Sequence, residues 1–453
     1  MHTDRQDRPR RGDRLANFTR FVGDWIPDAM TTCIAMALLI AAGALLVGNP
    51  AAKVAEAGYR GLWMLLPFTM QMTLILVVSC SLGTAPVFQR ALRHVARLPR
   101  TEGQVLALPI LLNALLAYFY WGLSVTLGPI MAIQFAREAE RRGLKVDFPF
   151  LLAATIAAGS VWQFGLSSSA ALQMNTPGHF LESTVGILPL STTIWTPAAI
   201  VTNLAFLAGL LFAVQWLRPA RVMLLSEFPE AQDTAAPAVE ATATRSFSER
   251  LERNPWPLRL LCLGLAGWLY QHFVVHGLGL DLNAMNTALL MVALLAHRTV
   301  AGFSRALQSA IGSCWSIVVL YHLYAAAAGL IQYTDVGERI AGGLAAIATE
   351  TTFPLLTALS STLLAIFIPS SGGQWVVQGF VTATAAADIG VSAQRALLSV
   401  GVGDQMGSLL SPFWAVVGAG IARIDFRSFL GYLIAFSTIW FVVGVLSMTF
   451  LPA

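Results

Sequence analysis

The chain has 453 residues, 56% of them hydrophobic and 11% charged, with a net charge of +4. Soluble globular domains carry about 25% charged residues, so a soluble fold is excluded and the sequence reads as a polytopic, all-α membrane protein. The small positive balance is no nucleic-acid signature, because the basic residues gather in short clusters between apolar runs.

Residues 1–27 carry Arg5, Arg8, Arg10, Arg11, Arg14 and Arg20 and read as a cytoplasmic tail. They lack a short apolar core with a small-residue cleavage site, so the segment is no cleaved signal peptide. Charge-free runs then cover 29–52, 61–89, 103–136 and 183–217. A span needs about 20 apolar residues, so the longer runs must hold a broken span, a hairpin or two passes. Arg90, Arg93, Arg97 and Arg100 form one basic loop, and Arg137, Arg141, Arg142 and Lys145 form another. Positive loops stay cytoplasmic, so the 103–136 run must enter and leave on one side. It can do so as two passes or as a deep hairpin turning near Tyr120-Trp121-Gly122.

Residues 218–256 change in character. Thr234-Ala235-Ala236-Pro237-Ala238-Val239-Glu240-Ala241-Thr242-Ala243-Thr244 is low-complexity and cannot bury a core, so it reads as a flexible cytoplasmic linker. It divides a first membrane unit, 28–217, from a second, 257–453. The second unit opens with spans near 258–276 and 284–297 and a long segment at 306–331. A short surface helix follows between Asp335 and Glu350. Further charge-free runs lie at 351–387, 405–422 and 428–453, with an interruption expected near Gly407-Ser408. The count is roughly ten to twelve membrane segments, some re-entrant, arranged as two inverted repeats.

Two interruptions carry the functional reading. Pro369-Ser370-Ser371-Gly372-Gly373-Gln374-Trp375, followed by Gln378, lies inside the charge-free run 351–387. In hydrocarbon a backbone leaves its helix only where protein or a water-filled cavity satisfies the freed groups. Gly165-Leu166-Ser167-Ser168-Ser169 breaks the stretch from Phe148 to Met174, and Asn175-Thr176-Pro177-Gly178-His179 follows it. Each break follows a Phe-Pro start, Phe148-Pro149 or Phe353-Pro354, by the same interval. Matched interrupted segments in two halves point to a repeat-built carrier with its site at the breaks. The plain alternative is a pair of kinked packing helices with small residues at an interface.

Few ionisable groups sit at membrane depth. Asp404, in Gly401-Val402-Gly403-Asp404-Gln405, reads as a proton carrier or sodium ligand, or else as a helix N-cap near the interface. Asp388 reads as a helix end. His179 either meets a substrate carboxylate or faces water, and His322 reads as a packing histidine. His272 and His276 share a helix face but lack the further ligands a metal needs. Cys33, Cys80, Cys262 and Cys314 are single and lie in apolar surroundings, as small buried hydrophobes do. Trp375 and Trp414 suit either a pocket or the interfacial belt. An intramembrane serine hydrolase would have to use Ser167 or Ser168 with His179 or His322.

These residues resemble the bacterial short-chain fatty acid transporter family, within the larger ion transporter superfamily. The likeness rests on Thr19-Arg20-Phe21-Val22 with Trp25-Ile26-Pro27-Asp28, on Trp121-Gly122 with Phe135-Ala136-Arg137-Glu138, and on Gly165-Leu166-Ser167-Ser168-Ser169 with Thr176-Pro177-Gly178-His179. Pro369-Ser370-Ser371-Gly372-Gly373-Gln374-Trp375 with Val377-Gln378-Gly379, and Gly403-Asp404-Gln405 with Pro412-Phe413-Trp414-Ala415, complete it. Three family amides are absent here: Tyr120 stands where Asn is usual, and Ser408 and Ser411 stand at the Asn and Gln of the family's Trp-x-Asn-x-x-Gln-Pro run; Phe380 also replaces the Pro of Gln-Gly-Pro.

The resemblance implies proton- or sodium-coupled uptake of small monocarboxylates such as acetate, butyrate or acetoacetate across the bacterial inner membrane. It implies paired re-entrant hairpins, no cofactor beyond the coupling ion, and the dimeric assembly common in the superfamily. The substrate would sit between the breaks, with Ser370, Ser371, Gly372, Gly373 and Gln374 on one side and Ser167, Ser168, Ser169 and Thr176 on the other. Gln378 would fix its orientation and Trp375 cover its acyl chain, while Asp404 and His179 are the candidates for ion or proton handling. The alternative within transport is a carrier of another small organic anion or an amino acid.

Overall fold

The computed structural model describes residues 29–219, 221–232, 246–311 and 315–453. The proposed N-terminal tail, the core of the linker and Cys314 lie outside the described residues. Within them the chain is helical, with no strand. Among the described residues six helices are long and apolar enough to cross a membrane: 51–84, 102–119, 148–175, 197–216, 256–275 and 430–450. A bent pair, 282–297 with 300–308, meets at 116° and adds a seventh if it counts as one span. The expectation of ten to twelve segments counted shorter pieces as well, such as Phe353–Phe367, which breaks cut below spanning length.

Helix starts follow the sequence closely. Thr101, Asp147, Thr196, Asp281 and Ser392 each cap a helix by accepting a backbone N–H three residues on. Pro86, Pro149, Pro197 and Pro354 occupy first turns, where a missing N–H costs nothing. In the long 51–84 element the helix ends at Met64 and restarts at Leu66, with Pro67 in the new first turn.

The 103–136 run is a hairpin. Glu102–Phe119 and Trp121–Arg141 turn at Tyr120, which has extended backbone (φ −158°, ψ 105°), and the Asn113 side-chain amide packs against Gly128 across the pair. Its two ends meet at one face of the molecule: Arg142 donates to the carbonyls of Arg97 (2.7 Å) and Pro99 (2.8 Å), and Lys145 N–H reaches Glu102. Arg218 also bonds Glu102, so the helix Pro197–Trp216 ends at the same face. Residues 353–388 form a second hairpin, turning at Ile368-Pro369-Ser370, with Gln374 Nε2 bonding the Ser361 carbonyl at 2.9 Å and Gln378 Nε2 bonding Ser360 Oγ at 3.1 Å. This hairpin is rooted at the opposite face. Arg395, one turn beyond it, donates to the Leu451 carbonyl, and Ala198 N–H donates to Pro452.

Each hairpin is followed by a discontinuous helix. Phe148–Ala158 tightens into a 3-10 stretch, Gly159–Phe164, breaks at Gly165–Ser168 and resumes as Ser169–Asn175. Ala393–Leu410 breaks at Ser411 and resumes as Pro412–Ala422. The second interruption therefore falls later than Gly407-Ser408: Gly407 stays helical, packed against Ala365 and Thr362, and Pro412 ends the run. Phe148-Pro149 and Phe353-Pro354 consequently open elements of different kinds, a broken span and a hairpin. The expected pairing of those two Phe-Pro starts does not hold, and the counterpart of the 353–388 hairpin by shape is 102–141.

Candidate functional site

Both hairpin tips and both helix breaks come together in the middle of the molecule. At the first tip, Trp121 N–H donates to Ser167 Oγ at 2.8 Å and Leu166 N–H donates to the Tyr118 carbonyl at 2.7 Å. At the second, Trp414 Nε1 donates to the Pro369 carbonyl at 2.8 Å. The two assemblies are joined directly, with Gly372 N–H donating to Ser169 Oγ at 3.0 Å and Gln163 Nε2 donating to Ser371 Oγ at 3.1 Å. The first break thus gives a freed backbone N–H to a hairpin tip, which is how broken helices survive in apolar surroundings, and the second holds its tip through a side chain.

A cavity of about 680 Å³ ends at this junction. Its inner end is polar: Ser169, Ser370, Ser371, Gln405 and Ser408, with Tyr321 and Tyr324 beside them. Tyr321 hydroxyl and Ser370 Oγ are 2.7 Å apart, and Gln405 bridges Trp162 Nε1 (2.8 Å) and Ser160 Oγ (3.1 Å). Trp121 packs against Trp162 and Trp414, with ring centroids 5.9 and 6.3 Å apart, and gives the same cavity a broad aromatic wall. Outward from there the lining turns apolar through Met72, Leu76, Pro129, Ala306 and Ile421, toward the face that carries Arg97 and Arg142. Among the described residues no Asp, Glu, Lys, Arg or His lines it.

The sequence-predicted residues divide. Ser169, Ser370 and Ser371 line the cavity, and Ser167, Gly372 and Gly373 build the junction behind them. Gly372 is needed for space, since a Cβ there would lie 2.5 Å from the Phe68 ring and 3.2 Å from Ser169 Oγ. Ser168, buried, precedes the short helix Ser169–Asn175 and its N–H bonds the Gly165 carbonyl. Gln374 and Gln378 point within the second hairpin, toward Ser361 and Ser360. Trp375 is fully buried, stacked over Gly379 near Leu181, and takes no part in the cavity wall. Thr176 bonds back to the Leu172 carbonyl.

Asp404 is 1% exposed and lies one residue from the wall. Its Oδ2 accepts from Gln163 Nε2 at 3.0 Å, and its Oδ1 has no partner. His179 braces its own loop, with Nε2 3.0 Å from the Gly186 carbonyl and Nδ1 accepting from Leu181 N–H. His322 contacts the Val318 carbonyl, so neither histidine is hydrogen-bonded to a serine of the breaks. Sequence reasoning missed Gln163, Trp121, Trp162 and Tyr321. Only their polarity inside apolar runs marked them, and that signal is shared by many packing residues. Among the described residues no group of three His, Cys, Asp or Glu could hold a metal.

Residues 13–451 match the family model described as short chain fatty acid transporter. The chain belongs to that family. Two proteins named for short-chain fatty acid transport are similar along almost their whole length. One, from Escherichia coli (strain K12), is 29% identical over 439 residues, covering 95% of this chain and 99% of the relative. The other, from Haemophilus influenzae, is 28% identical over 452 residues, with the same coverage. The fold is shared with the crystal structure of the Alcanivorax borkumensis YdaH transporter, described as having an unusual topology. The TM-score is 0.61 at 14% identity, over 93% of this chain and 98% of that one. Family membership makes this a membrane transporter, whose substrate is a small molecule.

Proposed function

We propose that the protein is a secondary carrier of short-chain monocarboxylates that binds its substrate between Ser169, Ser370 and Ser371 and is coupled to an ion through Asp404. The observation that carries this is the cavity itself, which joins a cluster of hydroxyl and amide groups to an aromatic and aliphatic wall, with no fixed charge. A small monoanion suits such a site. Its carboxylate is held by neutral donors, and its short chain rests on Trp121 and Trp414. A dicarboxylate would need a cation that the wall lacks. The amino acid alternative fits less well, because an ammonium group would need acceptors there, and Gln405 Oε1 already accepts from Trp162.

The cavity reaches toward the Arg97 and Arg142 face, which the positive-inside rule assigns to the cytoplasm, so we read this conformation as inward-facing. The two hairpins enter from opposite faces, each followed by a discontinuous helix. This supports an inverted repeat of 28–217 and 257–453, with the site at the repeat interface. We extend the proposal to inner-membrane residence and dimeric assembly, which the family resemblance implies.

Uptake of radiolabelled butyrate into proteoliposomes, driven separately by a pH gradient and a sodium gradient, tests the reading. We expect one gradient to drive accumulation, and Ser371→Ala to raise KM by about 10- to 150-fold, as the loss of one hydrogen bond to a charged group does. Folded protein that takes up no monocarboxylate under either gradient refutes it.

A further inference from the structure

We infer that the Gln163 side chain couples substrate to proton, because its one amide group holds both the cavity-lining Ser371 and the buried Asp404. This rests on the carrier reading above and names the ion. The two hydrogens of Nε2 are divided, one to Ser371 Oγ at 3.1 Å and one to Asp404 Oδ2 at 3.0 Å. The three residues come from three separate elements: the first broken span, the tip of the second hairpin and the second broken helix. Gln163, Ser371 and Asp404 are each at most 4% exposed. With its oxygen engaged by Gln163, the Ser371 hydroxyl keeps its hydrogen for a substrate carboxylate.

The electrostatics of that arrangement decide the ion. A carboxylate hydrogen-bonded to Ser371 stands about 7 Å from Asp404, by adding hydrogen-bond lengths along a bent path. Two negative charges at that distance, with an effective dielectric constant of about 20, disfavour each other by about 50-fold. Among the described residues, the elements packed around Asp404 carry no cationic side chain to offset them. The elements packed around Ala393–Leu410 are residues 353–367, 371–388, 412–422, 430–450, 159–164 and 169–175. Their titratable groups are Asp388, exposed at the outer end of the hairpin, and Tyr432, at the Asp147 end. Tyr321 faces Asp404 from the cavity side, and Arg395 sits a few turns away, donating to Leu451.

A sodium ion would need several oxygens converging on one point. Here an amide N–H donates to Oδ2, and among the described residues Oδ1 has no hydrogen-bond partner. Substrate therefore enters together with one proton, which is carried on Oδ1 while Oδ2 keeps its bond from Gln163. The pair crosses without net charge, and Gln163 acts as a positioning residue that fixes the distance between the two anions.

The test is radiolabelled butyrate counterflow in proteoliposomes between pH 6 and 8.5, a range in which butyrate stays ionised, with the leak through protein-free liposomes subtracted. In the wild type, KM should climb with pH toward a total rise of about 50-fold, and an inward proton gradient should drive accumulation. Asp404→Asn should give a KM that no longer depends on pH and should abolish proton-driven accumulation. Asp404→Glu, which keeps a titratable carboxyl, should retain both behaviours and serves if the Asn variant does not fold. Gln163→Leu should raise KM at low pH and flatten its rise with pH, and a rise as steep as in the wild type overturns the role given to Gln163. Wild-type protein that carries butyrate while Asp404→Asn keeps proton-driven accumulation overturns this inference alone. Accumulation driven by sodium and not by protons overturns it too. No carriage of any monocarboxylate by the wild type overturns the function reading and this inference with it.

Discussion

The Gly403→Ala substitution reaches both the packing and the site, and its size can be worked from the structure. A methyl group on Gly403 would overlap the Ala358 carbonyl oxygen and lie 2.6 Å from Ser361 Cβ. Non-bonded heavy atoms sit at about 3.5–4.0 Å, so the helices 353–367 and 393–410 must part by about 1 Å. The obstacle is backbone and cannot rotate away. Those helices are also tied by Ser361 Oγ to the Val400 carbonyl at 2.7 Å and by Thr362 Oγ1 to the Gly403 carbonyl at 3.2 Å. Overpacking of this kind costs about 1–3 kcal/mol, and the upper end applies here. The same displacement would carry Asp404, the next residue, out of its 3.0 Å contact with Gln163, beyond the range of a hydrogen bond. Melting of the detergent-purified protein, read by size-exclusion, should fall by several degrees, and proton-driven uptake should fall more than counterflow. Two glycines serve as comparisons. Gly401→Ala meets only side chains, Phe164 and Gln163, at 3.1–3.2 Å and should cost less than about 1 kcal/mol. Gly342→Ala has nothing within 4 Å and should stabilise its helix by up to about 1 kcal/mol. If Gly403→Ala melts with the wild type, the close approach of these helices is not a constraint and the argument fails.

Removing the Ser169 hydroxyl (Ser169→Ala) strips the acceptor from Gly372 N–H, a buried loss worth about 1–3 kcal/mol. It should lower the melting temperature and raise KM, and an unchanged KM would separate this contact from substrate binding. Asp147→Ala removes a carboxylate that caps the first broken span through Phe150 N–H at 2.8 Å and holds Met223 N–H at 2.9 Å. A loss of about 1–2 kcal/mol is expected in thermal melts. Burial lowers the His179 pKa from 6.5, while the bond to the Gly186 carbonyl and the nearby Glu182 pull it partly back. The folded loop therefore favours neutral imidazole, and its contribution is full above about pH 6.5 and lost as pH falls through the lowered value. Melting temperature followed from pH 8 to 5 should drop less in His179→Gln than in the wild type, and equal slopes would count against it.

What the sequence could and could not show follows from the period over which each signal acts. Helix existence was legible because caps and apolar runs act within a few residues: Thr101, Asp147, Thr196 and Ser392 all mark real starts. The basic clusters at both ends of 102–141 required only that it enter and leave on one side, which left two passes and a hairpin open. The breaks were legible as chemistry, since Pro-Ser-Ser-Gly-Gly cannot continue a lipid-facing helix. Their partners were not, because a serine's acceptor is set by three-dimensional packing. Ser167, Ser169 and Ser371 look alike in sequence, yet Ser167 caps a hairpin tip, Ser169 ties the two halves, and Ser371 links Gln163 to the cavity.

Equal spacing from two Phe-Pro starts misled for the same reason, since spacing along one helix does not distinguish a hairpin from a broken span. Trp375 and Gln374 adjoin the break but turn into the hairpin, because a helix sends successive side chains about 100° apart. The aromatic wall comes instead from Trp121, Trp162 and Trp414, on three other elements. The family's missing amides find a physical answer at one position. Tyr120, where Asn is usual, sends its hydroxyl to the Ile75 carbonyl at 2.9 Å and supports the first tip from behind. Amide chemistry near the cavity then falls to Gln405 and Gln163, and Gln163 alone reaches both the cavity-lining Ser371 and Asp404.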